Sequence, residues 1–138
     1  MESKTLEVSL FSVPSYSDMI RIAEDKVYNY FKNDVPEKIR NLKYKITNLP
    51  TIFEIGIIRV KNAISAYIRP IVKKVMGAYD PHTDTIYIDP VSVMKNFYRT
   101  LVHEIVHAYQ KRRGDFALYS KQDVERIADN ITEEVINS

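Results

Sequence analysis

The sequence predicts an α+β domain in which a small mixed or antiparallel sheet is combined with an N-terminal helix, a central helix and a C-terminal helix. Apolar residues recur at steps of three and four in three separate stretches, the signature of helices with one buried face. Shorter stretches alternate instead, and two of them flank the turn formers Asp80-Pro81-His82-Thr83-Asp84. The central helical stretch contains His103-Glu104-Ile105-Val106-His107, which spells H-E-x-x-H.

Taken in order, Thr5 to Val13 alternates as Leu6, Val8 and Leu10 against Thr5, Glu7 and Ser9, which fits a short strand or an extended leader ending at Pro14. Ser17 is placed to cap a first helix through Met19, Ile20, Ala23, Val27, Tyr30 and Phe31, and Asn33, Asp34 and Pro36 end it. Leu42, Tyr44 and Ile46 alternate with polar neighbours, as a half-buried strand does, before Pro50 stops it. From Thr51 to Ile68 the apolar residues fit helical turns and a strand about Gly56 equally. Val72 to Tyr79 and Thr85 to Asp89 read as the two strands of a hairpin. Pro90 or Val91 then opens the central helix, where the missing proline N–H costs little. Met94, Phe97, Tyr98, Leu101, Val102, Ile105, Val106 and Tyr109 form its apolar face. Lys111, Arg112 and Arg113 suit the carbonyl end of that helix, and Gly114 suits its C-cap. The last helix runs from about Lys121 to Ile136, with Val124, Ile127, Ala128, Ile131 and Val135 inward.

A chain of 138 residues is expected to be one domain, 1–138, large enough for a core but not for a second folding unit. Its 45% apolar and 28% charged residues are ordinary for a globular protein, and no stretch reaches the roughly 20 apolar residues of a membrane span. The first residues, Met1 to Lys4, lack the succession of a secretory signal, so a cytoplasmic location is the expectation. With no cysteine, disulfides and thiolate ligands are excluded. A net charge of +2 gives little reason to expect a nucleic-acid partner, although Lys111, Arg112 and Arg113 leave a DNA-associated reading to be weighed.

Two of the three histidines lie in the H-E-x-x-H run. Four residues along a helix is a turn of about 400° and a rise of about 6 Å, so both imidazoles leave one face and can meet a single cation. A zinc ion held this way polarises a carbonyl and acidifies water, and the neighbouring Glu104 is placed to take the proton as general base. That is the chemistry of peptide hydrolysis.

A catalytic zinc takes three protein ligands and keeps a position for water, so one more side chain is required. No histidine follows His107, which leaves His82 or a carboxylate. Glu125 and Asp129 stand one turn apart beside the apolar line of the last helix, whereas Glu133 lies two turns beyond Glu125 and Glu134 and Asp123 point further outward. This spacing favours Glu125 as ligand, with Asp129 accepting the other ring N–H of a ligating histidine, and a solvated charge stripe accounts for it as well.

The pair His103-Glu104-Ile105-Val106-His107 and Glu125-Arg126-Ile127-Ala128-Asp129 resembles the H-E-x-x-H and E-x-x-A-D motifs of the gluzincin zinc metallopeptidases. It looks most like the small soluble minigluzincins, which are related to the membrane-embedded HtpX-type peptidases and to the ImmA/IrrE proteins. Gly77-Ala78-Tyr79-Asp80 and Ile86-Tyr87-Ile88-Asp89 are also similar to their strand hairpin. The resemblance covers about residues 72 to 136 and implies a minimal zincin-like fold. It further implies zinc on His103, His107 and Glu125, Glu104 as general base, and Asp129 supporting a histidine. Those families bind a substrate peptide as an added strand, which here points to Thr85 to Asp89. Latent members of the group make Met1 to Tyr16 a candidate for filling the cleft, as in a zymogen. Thr100 to Glu104 with Ala108-Tyr109 is similar to the DNA-associated SprT-like peptidases too, but the third histidine those require is absent.

An oxyanion donor beyond the metal is expected, and His82, Tyr119, Arg126, Tyr79, Tyr109 and Arg112 are its candidates. With ten tyrosines, any single one is more often a core or surface aromatic, and His82 is more often a turn residue. Two functions follow as expectations. One is a zinc-dependent endopeptidase, and the other is a metal-stabilised regulatory or binding module without proteolytic activity, suggested by the small size.

Overall fold

The computed structural model describes residues 16–46, 67–71, 74–90 and 96–138, and for 67–71 and 74–76 it describes the backbone alone. The expected leader, most of the ambiguous 51–68 segment and Met94 therefore lie outside the described residues. Among the described residues the elements are helix α1 (Tyr16–Phe31), strands β1 (Lys43–Ile46), β2 (Tyr67–Ile71), β3 (Lys74–Asp80) and β4 (Thr85–Ile88), and helices α2 (Phe97–Arg113), α3 (Asp115–Leu118) and α4 (Lys121–Ile136). The chain is mixed α and β, as its sequence implies. No described helix is long and apolar enough to cross a membrane.

α1 buries Ile20, Ala23, Val27 and Phe31, the 3.6-residue stripe that its sequence shows. Tyr30 lies about 100° around the axis from Phe31 and stays 41% exposed, so it belongs to the rim and not to the buried face. The helix already includes Tyr16, which stacks on Phe97, so Ser17 is its second residue and not the one before it. In β1 the alternation holds, with Tyr44 and Ile46 buried between exposed lysines.

The sheet has the order β1-β4-β3-β2. β3 and β4 form the expected antiparallel hairpin, with Gly77 opposite Ile88 and Tyr79 opposite Ile86. β2 is antiparallel to β3, with a register shift between Arg69 and Pro70, and β1 runs parallel to β4. A strand carrying proline is tolerated at a sheet edge, where β2 lies among the described strands.

α2 crosses this sheet and also packs on α1 and α4. Every residue from Thr100 to Gln110 is buried, so the helix is the spine of the core and not an amphipathic surface helix. Its α-helical span begins at Phe97, after Asn96 at φ −112° and ψ 22°; Pro90 is itself helical, as expected of a helix start, and residues 91–95 lie outside the described residues. Gly114 ends it at φ 95°, with its N–H donated to the carbonyls of Gln110 and Lys111. A side chain there would strain the left-handed backbone. One apolar cluster joins α1, β1, β3, β4, α2 and α4, with Phe31 stacked on Tyr109 at its centre. Each large side chain buried in it contributes about 1.5–3 kcal/mol.

Candidate metal centre

His103, Glu104 and His107 sit where α2 passes between the sheet and α4, and all three are almost wholly buried. The two imidazole rings stand nearly perpendicular, with centroids 4.7 Å apart, as one helical turn requires. α4 begins with a Ser120 cap, whose hydroxyl accepts from the Asp123 N–H, and presents Glu125 one turn later. Glu125 Oε1 is 3.1 Å from His103 Nε2 and its Oε2 is 3.0 Å from His107 Nε2. Ligand-type atoms of His103, His107 and Glu125 all lie within 4.8 Å of one another, so this trio can hold a metal ion.

The far sides of the rings are also engaged. His103 Nδ1 is 3.2 Å from Asp129 Oδ1, the contact expected of that aspartate. His107 Nδ1 is 2.8 Å from Gln110 Oε1, and the Gln110 amide donates to the Val124 carbonyl at 3.1 Å. Acceptors at both Nδ1 positions place the ring protons there and leave the Nε2 lone pairs facing Glu125. Two lone pairs and a carboxylate converging on one point repel unless a cation lies among them, and two imidazoles with one oxygen donor suit a first-row divalent ion.

Burial pushes the His107 imidazole below its ordinary value, against the pull of Glu125, so the ring is kept neutral. Burial by itself would raise the Glu125 carboxyl, and what holds it well below the usual carboxylate range is hydrogen bonding from the His103 and His107 rings, a role that passes to a cation once the ring protons are at Nδ1.

Glu104 points from α2 toward the sheet. An added Cβ on Gly77 in β3 would lie 2.9 Å from Thr100 Cγ2, 3.1 Å from the Tyr87 carbonyl and 3.3 Å from Glu104 Oε2. The missing side chain is what lets the Glu104 carboxylate lie against the strand backbone. Phe116 of α3 covers the other flank, edge-on to His107 at 6.3 Å and to Tyr79 at 6.4 Å.

Most of the proposed oxyanion donors are occupied elsewhere. Tyr109 is on the core side, where its hydroxyl accepts from the Ile39 N–H. Tyr79 donates to Asp84, which also takes a two-pronged bond from Arg112 at 3.2 and 2.9 Å. Arg126 is exposed and pairs with Asp123. His82 is exposed in the hairpin turn, with its N–H bonded to Asp80 Oδ1. Tyr119 ends α3 with its side chain 45% exposed, and no described contact brings it to the trio.

Two expectations change. β4 is paired along both edges, with β1 on one side and β3 on the other, so a peptide cannot add to Thr85 to Asp89. The basic triplet is tied up locally: Lys111 donates to the Pro81 carbonyl, Arg112 meets Asp84, and Arg113 binds Asp115 and Asp34 while lying over the Phe31 ring. These cations are engaged in hydrogen bonds and ion pairs within the fold, so the triplet is not a set of unpaired charges. Gln110, Gly77 and Phe116 were not foreseen. Gln110 alone left a trace, since it follows His107 by three residues and so shares its helix face.

No family model, curated protein or solved structure matches this chain.

Proposed function

We propose that the protein is a zinc-dependent endopeptidase of the gluzincin kind. The observation that carries this reading is the meeting of His103, His107 and Glu125 from two helices, with Glu104 buried beside them against β3. His103, His107 and Glu125 would hold the ion, Asp129 would orient His103, and zinc supplies a Lewis acid that polarises a carbonyl and acidifies water. Glu104 receives the proton of the attacking water and returns it to the leaving amine. Its low-dielectric setting between helix and strand excludes competing solvent from that transfer. Elemental analysis together with a casein or peptide-library assay tests the reading. Glu104→Gln is expected to keep the metal and lose cleavage, and wild-type cleavage by this variant would refute the mechanism.

The second reading, a metal-stabilised binding or regulatory module, is favoured by the sheet. β3 and β4 are closed on both edges. A peptide added outside β2 would lie two strand spacings, about 10 Å, from β3. This reading predicts one bound metal, a melting temperature lowered by chelator and no turnover of any peptide.

A further inference from the structure

We propose that Gln110 is the positioning residue of the metal centre: one buried amide fixes the tautomer of His107 and tethers that imidazole to the main chain that carries Glu125. The metal half of this proposal rests on the reading of the trio as a metal site, and the tautomer half does not.

The assignment follows from what each group is able to do. The Val124 carbonyl can only accept a hydrogen bond, so the part of the Gln110 amide facing it at 3.1 Å must be the NH₂ group. The amide oxygen is then the part that meets His107 Nδ1 at 2.8 Å. That oxygen can only accept, so Nδ1 must carry hydrogen. A neutral imidazole has one N–H, and its remaining lone pair is therefore on Nε2, 3.0 Å from Glu125. Val124 immediately precedes Glu125, so a single side chain spans from one ligand on α2 to the backbone beneath the other on α4. Gln110 is fully buried, so both of its hydrogen bonds lie in the low-dielectric interior.

The two functions of the amide separate by substitution. Gln110→Glu retains an oxygen for the Nδ1 proton but sets a second acceptor against the Val124 carbonyl, so it keeps the tautomer and loses the tether. Gln110→Met fills the space and loses both.

The experiment uses the full chain. Long-range ¹H–¹⁵N correlation on ¹⁵N-histidine protein treated with chelator reads the tautomer, and competition titration with zinc, plus cobalt(II) absorption, reads the metal site. Wild type and Gln110→Glu are expected to show His107 protonated at Nδ1, and Gln110→Met a shift toward Nε2. Zinc affinity is expected to fall about 10- to 100-fold in Gln110→Met, with altered cobalt bands, and by less in Gln110→Glu. Nε2 protonation in wild type, or zinc affinity and cobalt bands unchanged in both variants, overturns the proposal. If Gln110→Met does not fold, Gln110→Glu still decides it, because the tether predicts weakened zinc binding with the tautomer intact. Wild type that has the Nδ1 tautomer yet binds neither zinc nor cobalt overturns the metal reading, and the positioning role with it.

Discussion

The two walls of the candidate site are built differently. α2 supplies His103, Glu104 and His107 from the middle of the core, with exposures of 1%, 0% and 0%, whereas α4 supplies Glu125 and Asp129 from side chains that are 29% and 55% exposed. The buried wall holds its groups by packing on all sides, and no rotamer change is open to them without disturbing the core. The outer wall holds its groups by contacts with the inner ones. Precision therefore comes from α2, and access and exchange belong to α4.

Glu104→Gln should have the largest consequence, because on the endopeptidase reading it removes the proton acceptor that the buried wall positions. A loss of about 10³-fold or more in peptide turnover is expected, with zinc content by elemental analysis unchanged. Equal turnover in the two proteins would break the distinction between the walls. Glu125→Gln comes next. It keeps the shape but removes the negative charge from the donor set, and zinc affinity by chelator competition should fall by more than the roughly 100-fold that outer hydrogen-bond partners cost. A site that keeps its affinity without this carboxylate is not built on α4.

The same division explains what the sequence disclosed. His103 and His107 were legible because helical spacing alone brings them together, and the last helix was legible because Val124, Ala128, Ile131 and Val135 repeat at its period. Glu125 could only be favoured, since a half-exposed carboxylate on an amphipathic helix has the same pattern whether or not two imidazoles face it. The hairpin was visible in its turn residues, but the parallel pairing of β1 with β4 joins segments some forty residues apart, and no local pattern records that neighbour. For that reason β4 could be read as an open strand although it is enclosed. Gly77 was quoted as part of a strand, yet its value lies in a Thr100 methyl and a carboxylate that approach from another element.

Gly77→Ala sharpens the comparison from the sheet side. The new Cβ meets the Tyr87 carbonyl, which is fixed in the ladder, so Thr100 and the Glu104 carboxylate must give way. Stability should drop by about 1–3 kcal/mol in denaturant unfolding. Turnover should fall about tenfold through kcat, with zinc retained, since the ligands are untouched. Loss of zinc instead would show that Glu104 and the ligands move as one body. Asp129→Ala should be milder, about tenfold in zinc affinity, because water can fill the place beside His103 that the 55% exposed Asp129 side chain leaves.

The smallest effect concerns Asp84, at a distance from the chemistry but attached to the same helix. This residue holds a positive φ of 54° in the hairpin turn and gathers Arg112 and the Tyr79 hydroxyl, thereby fastening the hairpin to the end of α2. Burial opposes its charge, but bonds from Arg112 and Tyr79 prevail and keep the carboxyl below its ordinary value. A carboxyl depressed in the folded state contributes stability that is present above the unfolded pKa, near 3.9, and is lost as pH falls toward the folded value. Asparagine accepts the same positive φ, so Asp84→Asn removes the charge without adding backbone strain. Its cost should be about 1 kcal/mol at neutral pH, read from denaturant midpoints, and should vanish once the pH falls below the depressed folded-state value of Asp84, where both proteins carry a neutral side chain. A deficit that persists in acid would mean that hydrogen-bond geometry, and not charge, joins the turn to the helix.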